Sequence, residues 1–398
     1  MKLLFKILAC IFFVTPAFAE MQYAEICEKP GVCKKVSRLI MGTDHLGKIP
    51  REKATEVLNE ALNLGINAFD TAPIYADGIE DFLGDWSKSV NRQDLVLITK
   101  GGFPYDNGPG TYLSKLAGTS AEIKTKVGEE LVGSADRLHP GIGIYLMHRD
   151  DMYYENYKKV DKPQTPVKTI LEALSDPALR QKYGMMGVSN WETPRVDETQ
   201  RVAMENANLV RPVCNSPYFS LLEMSDTTIH SGGVQVKHAE MMNPNFQKGV
   251  KIMPYSPLGG FTIFSTTWEK AKENARTLKN ANERYWGHVY DAIFHDANEA
   301  RVKRAVSFLE QFNKRNKTSY TLDQLVNAYA LAHARTDFLI VGPRTVDALK
   351  RTVASMELAK LLTPADLDYL YTNPAPVSQA APRAPNRMQK CVIDRLKP

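Results

Sequence analysis

Eight short apolar runs recur along the chain, and each ends in polar residues or glycine. In order they are SRLIMGT (37–43), INAFD (66–70), LVLITK (95–100), IGIYLMH (142–148), YGMMGVSN (183–190), LVRPVCNS (209–216), VKIMPYS (250–256) and FLIVGPR (338–344). Short apolar runs bounded by polar or turn residues are typical of buried strands. The pattern therefore predicts eight strands.

Amphipathic segments separate these runs, with apolar positions at helical spacing. They include REKATEVLNEALNLG (51–65), SAEIKTKVGEELVGSADRL (120–138), TPVKTILEALSDPALRQK (165–182), YTLDQLVNAYALAHA (320–334) and TVDALKRTVASMEL (345–358). Strand followed by helix, repeated eight times, predicts an α/β fold that closes into a (β/α)8 TIM barrel. An open doubly wound sheet is the alternative, but no Gly-x-Gly-x-x-Gly segment opens a helix after the first run.

Two segments depart from the repeat. WEKAKENARTLKNANERYWGHVYDAIFHDANEARVKRAVSFLEQF (268–312) is charged and helical in character, and it predicts an insertion of one or two helices before the last strand, over the catalytic face or its flank. After Tyr371 the chain is rich in Pro and Ala without periodicity, so residues 372–398 are predicted to form an extended C-terminal tail.

The first 19 residues have the pattern of a secretory signal peptide. Lys2 and Lys6 precede an apolar stretch, and Ala17-Phe18-Ala19 suits cleavage after Ala19. Residues 20–371 would then form the barrel of a periplasmic or secreted protein. No later apolar stretch reaches the roughly 18 residues that a membrane span needs, so no membrane-spanning segment is expected after signal removal.

Composition and charge exclude few classes of function. The 398 residues have an ordinary globular composition, and removing the two signal-peptide lysines takes the formal net charge from +5 to +3. Basic and acidic residues alternate along the predicted helices, so a nucleic-acid partner is not expected. Four cysteines remain after cleavage, and Cys27 and Cys33 either close a small disulfide loop or stay free thiols.

Four polar side chains stand at or after the ends of predicted strands. Asp70, Lys100 and His148 close three consecutive strands, and Tyr75 follows Asp70 in FDTAPIYADG. A buried carboxylate needs a partner, which Lys100 would supply. The held cation would lower the phenol pKa from about 10, making Tyr75 a usable acid, and the imidazole would bind a substrate carbonyl. Singly, each residue has an ordinary structural explanation; together they favour a catalytic site, with no metal ligands expected.

These residues resemble the motifs of the aldo-keto reductases, and the resemblance covers residues 36–370. VSRLIMGT resembles the family's first strand, FDTAPIY its Asp-to-Tyr motif, ITK its lysine strand, YLMHRDD its histidine strand, GVSN its nicotinamide-amide motif and YSPLGG its seventh-strand loop. The resemblance implies reduction of an aldehyde or ketone by hydride from NADPH or NADH. It implies Tyr75 as proton donor, Lys100 and Asp70 as the pair that tunes it, and His148 as the residue that positions the carbonyl.

The resemblance also implies cofactor-binding residues. Ser189 and Asn190 match the pair that holds the nicotinamide carboxamide, and Tyr255 matches the aromatic residue under the nicotinamide ring. Ser216 stands where many members have a glutamine, and its shorter hydroxyl could reach the carboxamide through water. The other matches follow the rest of the cofactor: Gly42 and Thr43 beside the ribose, Ser256 and Leu258 over the pyrophosphate, and Gly342 and Arg344 at the adenosine end.

The last motif departs from the family. VGPRTVDALKRTV has Arg351-Thr352 where members commonly have Glu-Asn, so adenine recognition through that pair is not expected. Arg344 and Arg351 suit the oxygens of a 2′-phosphate, because guanidinium groups form forked hydrogen bonds. NADPH is therefore favoured over NADH.

Two further features could shape a substrate pocket. GGFPYDNGPG (101–110) lacks the Lys-Ser or Lys-Thr of a phosphate loop, and it is interpreted as a mobile loop beside the pocket. Five aromatic residues either line the pocket or pack in the core: Trp191, Tyr218, Phe219, Phe261 and Trp268.

An export signal and a nicotinamide cofactor are an unusual combination, and three hypotheses follow. The first is an exported reductase of a small-molecule carbonyl substrate. The second is a barrel outside the cytoplasm that serves as a binding or scaffold protein, with weak or lost cofactor binding. The third is a redox partner using Cys27, Cys33 and Cys391; it ranks last because the spacing is not Cys-x-x-Cys. The physiological substrate and the oligomeric state stay open.

Overall fold

A closed barrel of eight parallel strands forms the centre of the molecule. The computed structural model describes residues 20–75, 78–103, 120–150, 153–155, 158–160, 165–225, 233–260, 262–282 and 286–372. The barrel strands are β1 (Leu39–Gly42), β2 (Ala68–Asp70), β3 (Val96–Gly101), β4 (Ile142–Met147), β5 (Tyr183–Ser189), β6 (Cys214–Ser216), β7 (Lys251–Ile252) and β8 (Leu339–Val341). Each predicted run contains one of them, so the eight-strand prediction is confirmed.

The strands follow one another around the barrel in chain order, from β1 to β7, and β8 pairs with β1. A parallel bridge between Tyr255, just after β7, and Ile340 of β8 closes the ring. This is the (β/α)8 architecture expected from the sequence, and it brings the carboxyl ends of all eight strands to one face.

Helices surround the barrel. They are α1 (Arg51–Asn63), α2 (Ile79–Val90), α3 (Ser120–Arg137), α4 (Val167–Leu174), α5 (Pro177–Arg180), α6 (Thr193–Glu205), α7 (His238–Met242), α8 (Trp268–Ala281), α9 (His288–Ile293), α10 (Asp296–Asn316), α11 (Leu322–Ala332), α12 (Val346–Leu361) and α13 (Pro364–Thr372), with short 3₁₀ turns at Asp44–Lys48 and Ile263–Ser265. The segment 165–182 contains two helices because Asp176 caps a new one and Pro177 begins it.

The insertion before the last strand has more helices than the one or two expected, because α8, α9 and α10 all lie in it. Residues of these helices form hydrogen bonds with the segment that follows β6, at Glu223 and Ser225. Asn298 Oδ1 accepts from the Glu223 N–H at 3.1 Å, and the Ser225 N–H donates to the Ala292 carbonyl at 2.8 Å.

Two hydrophobic clusters follow from the alternation of side chains along the strands. Leu39 and Met41 of β1 pack with the helices, while Ile40 between them belongs to a separate cluster of strand residues inside the barrel. In β3, Leu97 packs outward and Ile98 inward in the same way. The core therefore consists of a filled barrel interior and a layer between the strands and helices.

An N-terminal hairpin, Tyr23–Lys29 and Val32–Ser37, packs against the barrel interior through Ile26 and Val36. Its strands were not predicted from the sequence. Cys27 and Cys33 face each other across the hairpin and are joined by a disulfide, which decides between the two alternatives left open above. Cys214 is a buried free thiol whose pKa is raised by burial, as expected of a core cysteine.

Several sequence-based predictions fall outside the described residues. They are the signal peptide, most of the predicted loop at 101–110, Phe261, and Cys391 with the tail beyond Thr372. A short hairpin, Tyr153–Glu155 with Lys158–Val160, is also present and was not predicted. Across the described residues, none of the helices has both the length and the apolar character required to cross a membrane.

Candidate active site

The carboxyl ends of three neighbouring strands bring the four predicted catalytic residues together. Asp70 is the last residue of β2, Lys100 lies one residue before the end of β3, and His148 directly follows β4. Tyr75 lies in the loop after β2 and is half-buried. Because parallel strands end on the same face, residues far apart in sequence meet here.

The Lys100 ammonium group is the centre of this cluster. Its Nζ donates to Asp70 Oδ1 at 2.6 Å, to the Thr71 carbonyl oxygen at 2.8 Å and to the Tyr75 hydroxyl oxygen at 2.9 Å. An ammonium group has three hydrogens and no lone pair, so these contacts use all of its donors. Tyr75 is therefore an acceptor in this contact.

Burial sets the ionisation of the cluster. Desolvation raises the pKa of Tyr75 well above its ordinary value of 10.0, and the Asp70 charge adds to the rise, while the Arg149 charge opposes it. Burial likewise lowers the pKa of Lys100 and raises that of Asp70, although each charge opposes the shift of its partner. The expectation that the phenol pKa would be lowered is therefore wrong, because desolvation and the Asp70 charge raise it. The phenol keeps its proton at neutral pH, the form that a proton donor needs.

The His148 imidazole forms the adjoining wall of the site. Its ring lies edge-on to Tyr75, with centroids 6.1 Å apart, and packs against Phe103 at 4.9 Å. Its backbone N–H donates to the Gly101 carbonyl at 2.7 Å, which fixes it against the end of β3. The sequence thus identified a set of residues that the fold brings together, and their catalytic roles remain predictions.

The Asn190 side chain is held by four hydrogen bonds within the chain. Its Nδ2 donates to Ser189 Oγ at 2.9 Å and to the His148 carbonyl at 3.3 Å. Its Oδ1 accepts from the Tyr255 hydroxyl at 2.8 Å and from the Val234 N–H at 3.1 Å. Its backbone is left-handed, with φ of 60°, a conformation that asparagine tolerates better than most residues. Binding a carboxamide would require one of these bonds to be exchanged.

Ser216 places a further hydroxyl beside Asn190. Its carbonyl oxygen accepts from Ser189 Oγ at 3.0 Å and from the Asn190 N–H at 3.1 Å. Its own Oγ is buried and meets no hydrogen-bond partner among the described residues. A buried hydroxyl in this state suits a polar ligand atom, because leaving it without a partner costs free energy. The residues at this end therefore fit a nicotinamide carboxamide, with Ser216 as the group whose bonding it would complete.

The other predicted cofactor residues line the same face. The Thr43 N–H and hydroxyl both donate to the Asp70 carbonyl, at 2.9 and 3.0 Å, so Thr43 supports the end of β2. Ser256 is exposed, with a left-handed φ of 56°, and its carbonyl accepts from the Gly259 N–H at 3.0 Å. Strained backbone of this kind is often found at functional sites. Leu258, in the same turn, is half-buried against the core.

Two glycines permit close approach of neighbouring strands and loops. A Cβ at Gly42 would lie 3.2 Å from the Val341 carbonyl oxygen, across the β1–β8 pair. A Cβ at Gly342 would lie 2.9 Å from Cδ2 of His45, so glycine there lets the imidazole pack on the backbone. Both positions have a structural reason that is independent of any cofactor.

The adenosine end fits the sequence-based expectation less well. Arg351 Nε lies 3.1 Å from Asp323 Oδ2, so Arg351 would have to leave this ion pair to reach a 2′-phosphate. Arg344 is exposed and immediately precedes Thr345, whose hydroxyl caps α12.

Comparison with known proteins agrees with this geometry. The model of the aldo/keto reductase family matches residues 38–370. The chain belongs to this family. It is 24% identical over 359 residues to the versiconal hemiacetal acetate reductase of Aspergillus parasiticus, covering 84% of this chain and 93% of that protein. It is 26% identical over 334 residues to the uncharacterized oxidoreductase YrpG of Bacillus subtilis, covering 82% of this chain and 89% of that protein. Family and relatives support an oxidoreductase function.

Three residues of this aldo/keto reductase site were missed in the sequence. Thr71 supplies a carbonyl acceptor for Lys100, and Phe103 packs against His148. Arg149 is buried directly after His148. The signal for Arg149 was present in YLMHRDD, but adjacency in sequence does not show on which side of a strand end a long side chain lies.

Four of the five aromatic residues considered for the pocket of this aldo/keto reductase belong to the core. Trp191, Tyr218, Phe219 and Trp268 are all buried within the main hydrophobic cluster. Phe219 also stacks on Tyr329, with centroids 5.9 Å apart. Ordinary packing accounts for these four.

Proposed function

We propose that this aldo/keto reductase uses NADPH or NADH to reduce an aldehyde or ketone to the alcohol, with Tyr75 as the proton donor. The observation that carries the proposal is the position of Lys100 Nζ, within hydrogen-bond distance of both Asp70 Oδ1 and the Tyr75 hydroxyl. A bound nicotinamide would supply the hydride. The residues of the chain supply the rest.

In this proposal Tyr75 and His148 bind the substrate carbonyl oxygen, and Tyr75 passes its proton to that oxygen as the alcohol forms. Lys100 then stabilises the resulting phenolate, because its ammonium already contacts the phenol oxygen at 2.9 Å. Asp70 keeps Lys100 charged and oriented, since its charge opposes the lowering of the lysine pKa by burial.

Cofactor binding would use both ends of the face described above. Ser216, Ser189 and Asn190 would hold the carboxamide, and Tyr255 would lie under the ring. Ser256 and Leu258 would cover the pyrophosphate. Arg344 favours NADPH, because an exposed guanidinium suits a 2′-phosphate.

The test compares the mature chain from Glu20 with Tyr75→Phe and with Tyr369→Phe, a control on α13. NADPH and NADH are titrated by fluorescence, and NADPH oxidation is followed with a panel of aldehydes. We expect Tyr75→Phe to lower kcat by about 100-fold or more, with the NADPH Kd within about threefold of wild type. Full activity in Tyr75→Phe would refute the assignment.

The binding or scaffold alternative has one observation in its favour. Arg351 is committed to Asp323, and the family's Glu-Asn pair is replaced. If the folded wild-type chain binds neither NADPH nor NADH and consumes no aldehyde, this alternative replaces the reductase proposal.

We also propose that the protein is exported to the periplasm or secreted. The first support is the signal-peptide pattern, in which Lys2 and Lys6 precede an apolar stretch and Ala17-Phe18-Ala19 suits cleavage. The second is the Cys27–Cys33 disulfide, which suits an oxidising compartment. Intact-mass measurement of the protein after expression with its own leader tests this. A mature N-terminus at Glu20 in the periplasmic fraction is expected, and an uncleaved cytoplasmic chain would contradict it.

A further inference from the structure

A buried carboxylate lies between β3 and the helices outside it. Glu80, the second residue of α2, is 3% exposed. Its Oε1 accepts a hydrogen bond from the Thr99 hydroxyl of β3, and its Oε2 accepts one from Arg137 Nε of α3 at 2.8 Å. The Ser134 hydroxyl of α3 lies 3.1 Å from both oxygens of the carboxylate. Glu80 therefore joins α2, α3 and β3 in one hydrogen-bond network.

Thr99 faces this network, while its neighbour Lys100 faces the candidate active site. Side chains alternate along a strand, and Leu97 already lies on the helix side of β3 and Ile98 on the barrel side. Thr99 continues on the helix side, where Glu80 holds it, and Lys100 continues on the side of the other candidate catalytic residues. The hydrogen bond at Thr99 thus fixes the backbone from which the lysine side chain starts.

The same carboxylate fixes the segment that follows Tyr75. Tyr75 lies in the loop after β2, and Glu80 comes five positions later, in the first turn of α2. The two chain segments that meet in the Lys100–Tyr75 contact of 2.9 Å are therefore joined a second time, by the bond between Glu80 and Thr99. Both partners of this bond are buried, and a charge-assisted hydrogen bond is strong where water is excluded.

A second carboxylate holds β3 beyond Lys100. Glu130 Oε2, from α3, accepts from the N–H of Gly102 at 2.8 Å, and Gly102 directly follows the strand. Hydrogen bonds to helices outside the barrel therefore fix the backbone on both sides of the lysine. The Glu80 bond differs from this one because it also connects β3 to α2, the helix that follows Tyr75.

We propose that Glu80 is a positioning residue of this reductase, which acts through Thr99 to set the distance between Lys100 Nζ and the Tyr75 hydroxyl. The proposal rests on the reductase function above. There Lys100 stabilises the phenolate that proton transfer leaves on Tyr75, so a displaced ammonium would slow this step and leave ground-state binding almost unchanged. A misplacement of about 1 Å can cost about 100-fold in rate.

The main test variant is Thr99→Val, because valine nearly keeps the shape of threonine and removes the hydroxyl that bonds to Glu80. Replacing Glu80 itself would also break its ion pair with Arg137. In the mature chain we expect kcat to fall by about tenfold or more, while KM for the aldehyde and Kd for NADPH stay within about threefold of wild type. Thr99→Ser keeps the hydroxyl, and its kcat should return to within about threefold of wild type.

Ser134→Ala is the matched control, because it removes another buried hydroxyl from the same carboxylate without changing β3. Both Thr99→Val and Ser134→Ala should be less stable than wild type in urea, whereas kcat should fall in Thr99→Val alone. In a Lys100→Met background, Thr99→Val should change kcat by less than about twofold, because the lysine that it displaces is absent. The proposal is overturned by equal falls of kcat in Thr99→Val and Ser134→Ala, by an unchanged kcat in Thr99→Val, or by an undiminished effect in the Lys100→Met background.

A spectroscopic measurement separates this inference from the reductase proposal. If no aldehyde is reduced, the reductase proposal fails, and nitrogen-15 NMR of the Lys100 ammonium, identified by its loss in Lys100→Met, reports the surroundings of the lysine directly. Its resonance should shift in Thr99→Val and stay at the wild-type position in Ser134→Ala. An unshifted resonance in Thr99→Val, or equal shifts in the two variants, rejects the positioning role.

Discussion

Replacing Asp70 with asparagine tests the central ion pair. The carboxylate lies 2.6 Å from Lys100 Nζ, and both side chains are 4% exposed. Asparagine keeps the size and one acceptor oxygen but removes the charge, so Lys100 loses its compensating charge in a buried place. Breaking a buried pair from one side costs about 3–5 kcal/mol of unfolding free energy. Because the amide oxygen can still accept a hydrogen bond, we expect a value near the lower end, about 3 kcal/mol.

The assay is urea denaturation at neutral pH, arranged as a double-mutant cycle with Lys100→Met. Each single variant leaves one buried charge without its partner, whereas the double variant leaves none. The cost of the double variant should therefore fall short of the sum of the single costs by about 2 kcal/mol. The matched control is Lys53→Met, which removes an exposed lysine bonded to Glu56 at 2.7 Å and should not shift the unfolding midpoint.

Two results would refute the reasoning. One is an Asp70→Asn variant within about 1 kcal/mol of wild type, which would mean that solvent or relaxation compensates the lone ammonium. The other is additivity within about 0.5 kcal/mol across the cycle, which would mean that Asp70 and Lys100 do not interact in the folded state.

Three further predictions follow from the packing. Because the pKa of Tyr75 is raised well above 10.0, Tyr75 should stay protonated up to about pH 10. The ultraviolet absorbance of tyrosinate should therefore rise equally in wild type and Tyr75→Phe up to that pH, and one extra phenolate in wild type would contradict the prediction. Gly84→Ala should lower the free energy of unfolding in urea by about 1–3 kcal/mol, because the added Cβ would lie 2.2 Å from the Arg137 carbonyl oxygen. In the control Gly128→Ala the nearest atom to the added Cβ would lie at 3.3 Å, so this variant should be as stable as wild type or up to about 1 kcal/mol more stable. Burial lowers the pKa of His333 from 6.5 to about 3, so the unfolded chain binds a proton at a higher pH than the folded protein does. The free energy of unfolding should therefore be at its full value above about pH 6.5 and lower by roughly 2 kcal/mol at pH 5. This loss should be smaller in His333→Asn, and an equal dependence of unfolding free energy on pH in the two proteins would disprove the prediction.

Local patterns were sufficient for the main elements and for the order of the candidate catalytic residues. Apolar runs predict strands because a barrel strand is buried on both faces and is therefore apolar throughout. The intervening amphipathic segments predict helices because a helix buried on one face has apolar residues every three or four positions. In a parallel barrel the ends of all strands meet on one face, so residues that close consecutive runs, such as Asp70, Lys100 and His148, must become neighbours. The N-terminal hairpin escaped prediction because only Ile26 and Val36 of its strands belong to the barrel-interior cluster.

The sequence by itself determined that Asp70, Lys100 and His148 meet, and the tertiary structure decided their ionisation and the other contacts of the site. The sign of the Tyr75 pKa shift depends on how much water the whole surrounding fold excludes, which no spacing records. The pairing of Arg351 with Asp323, 28 residues apart, depends on how two helices pack. The buried Ser216 hydroxyl and the position of Arg149 beside His148 likewise depend on side-chain directions at strand ends, which are set by neighbours from distant parts of the chain.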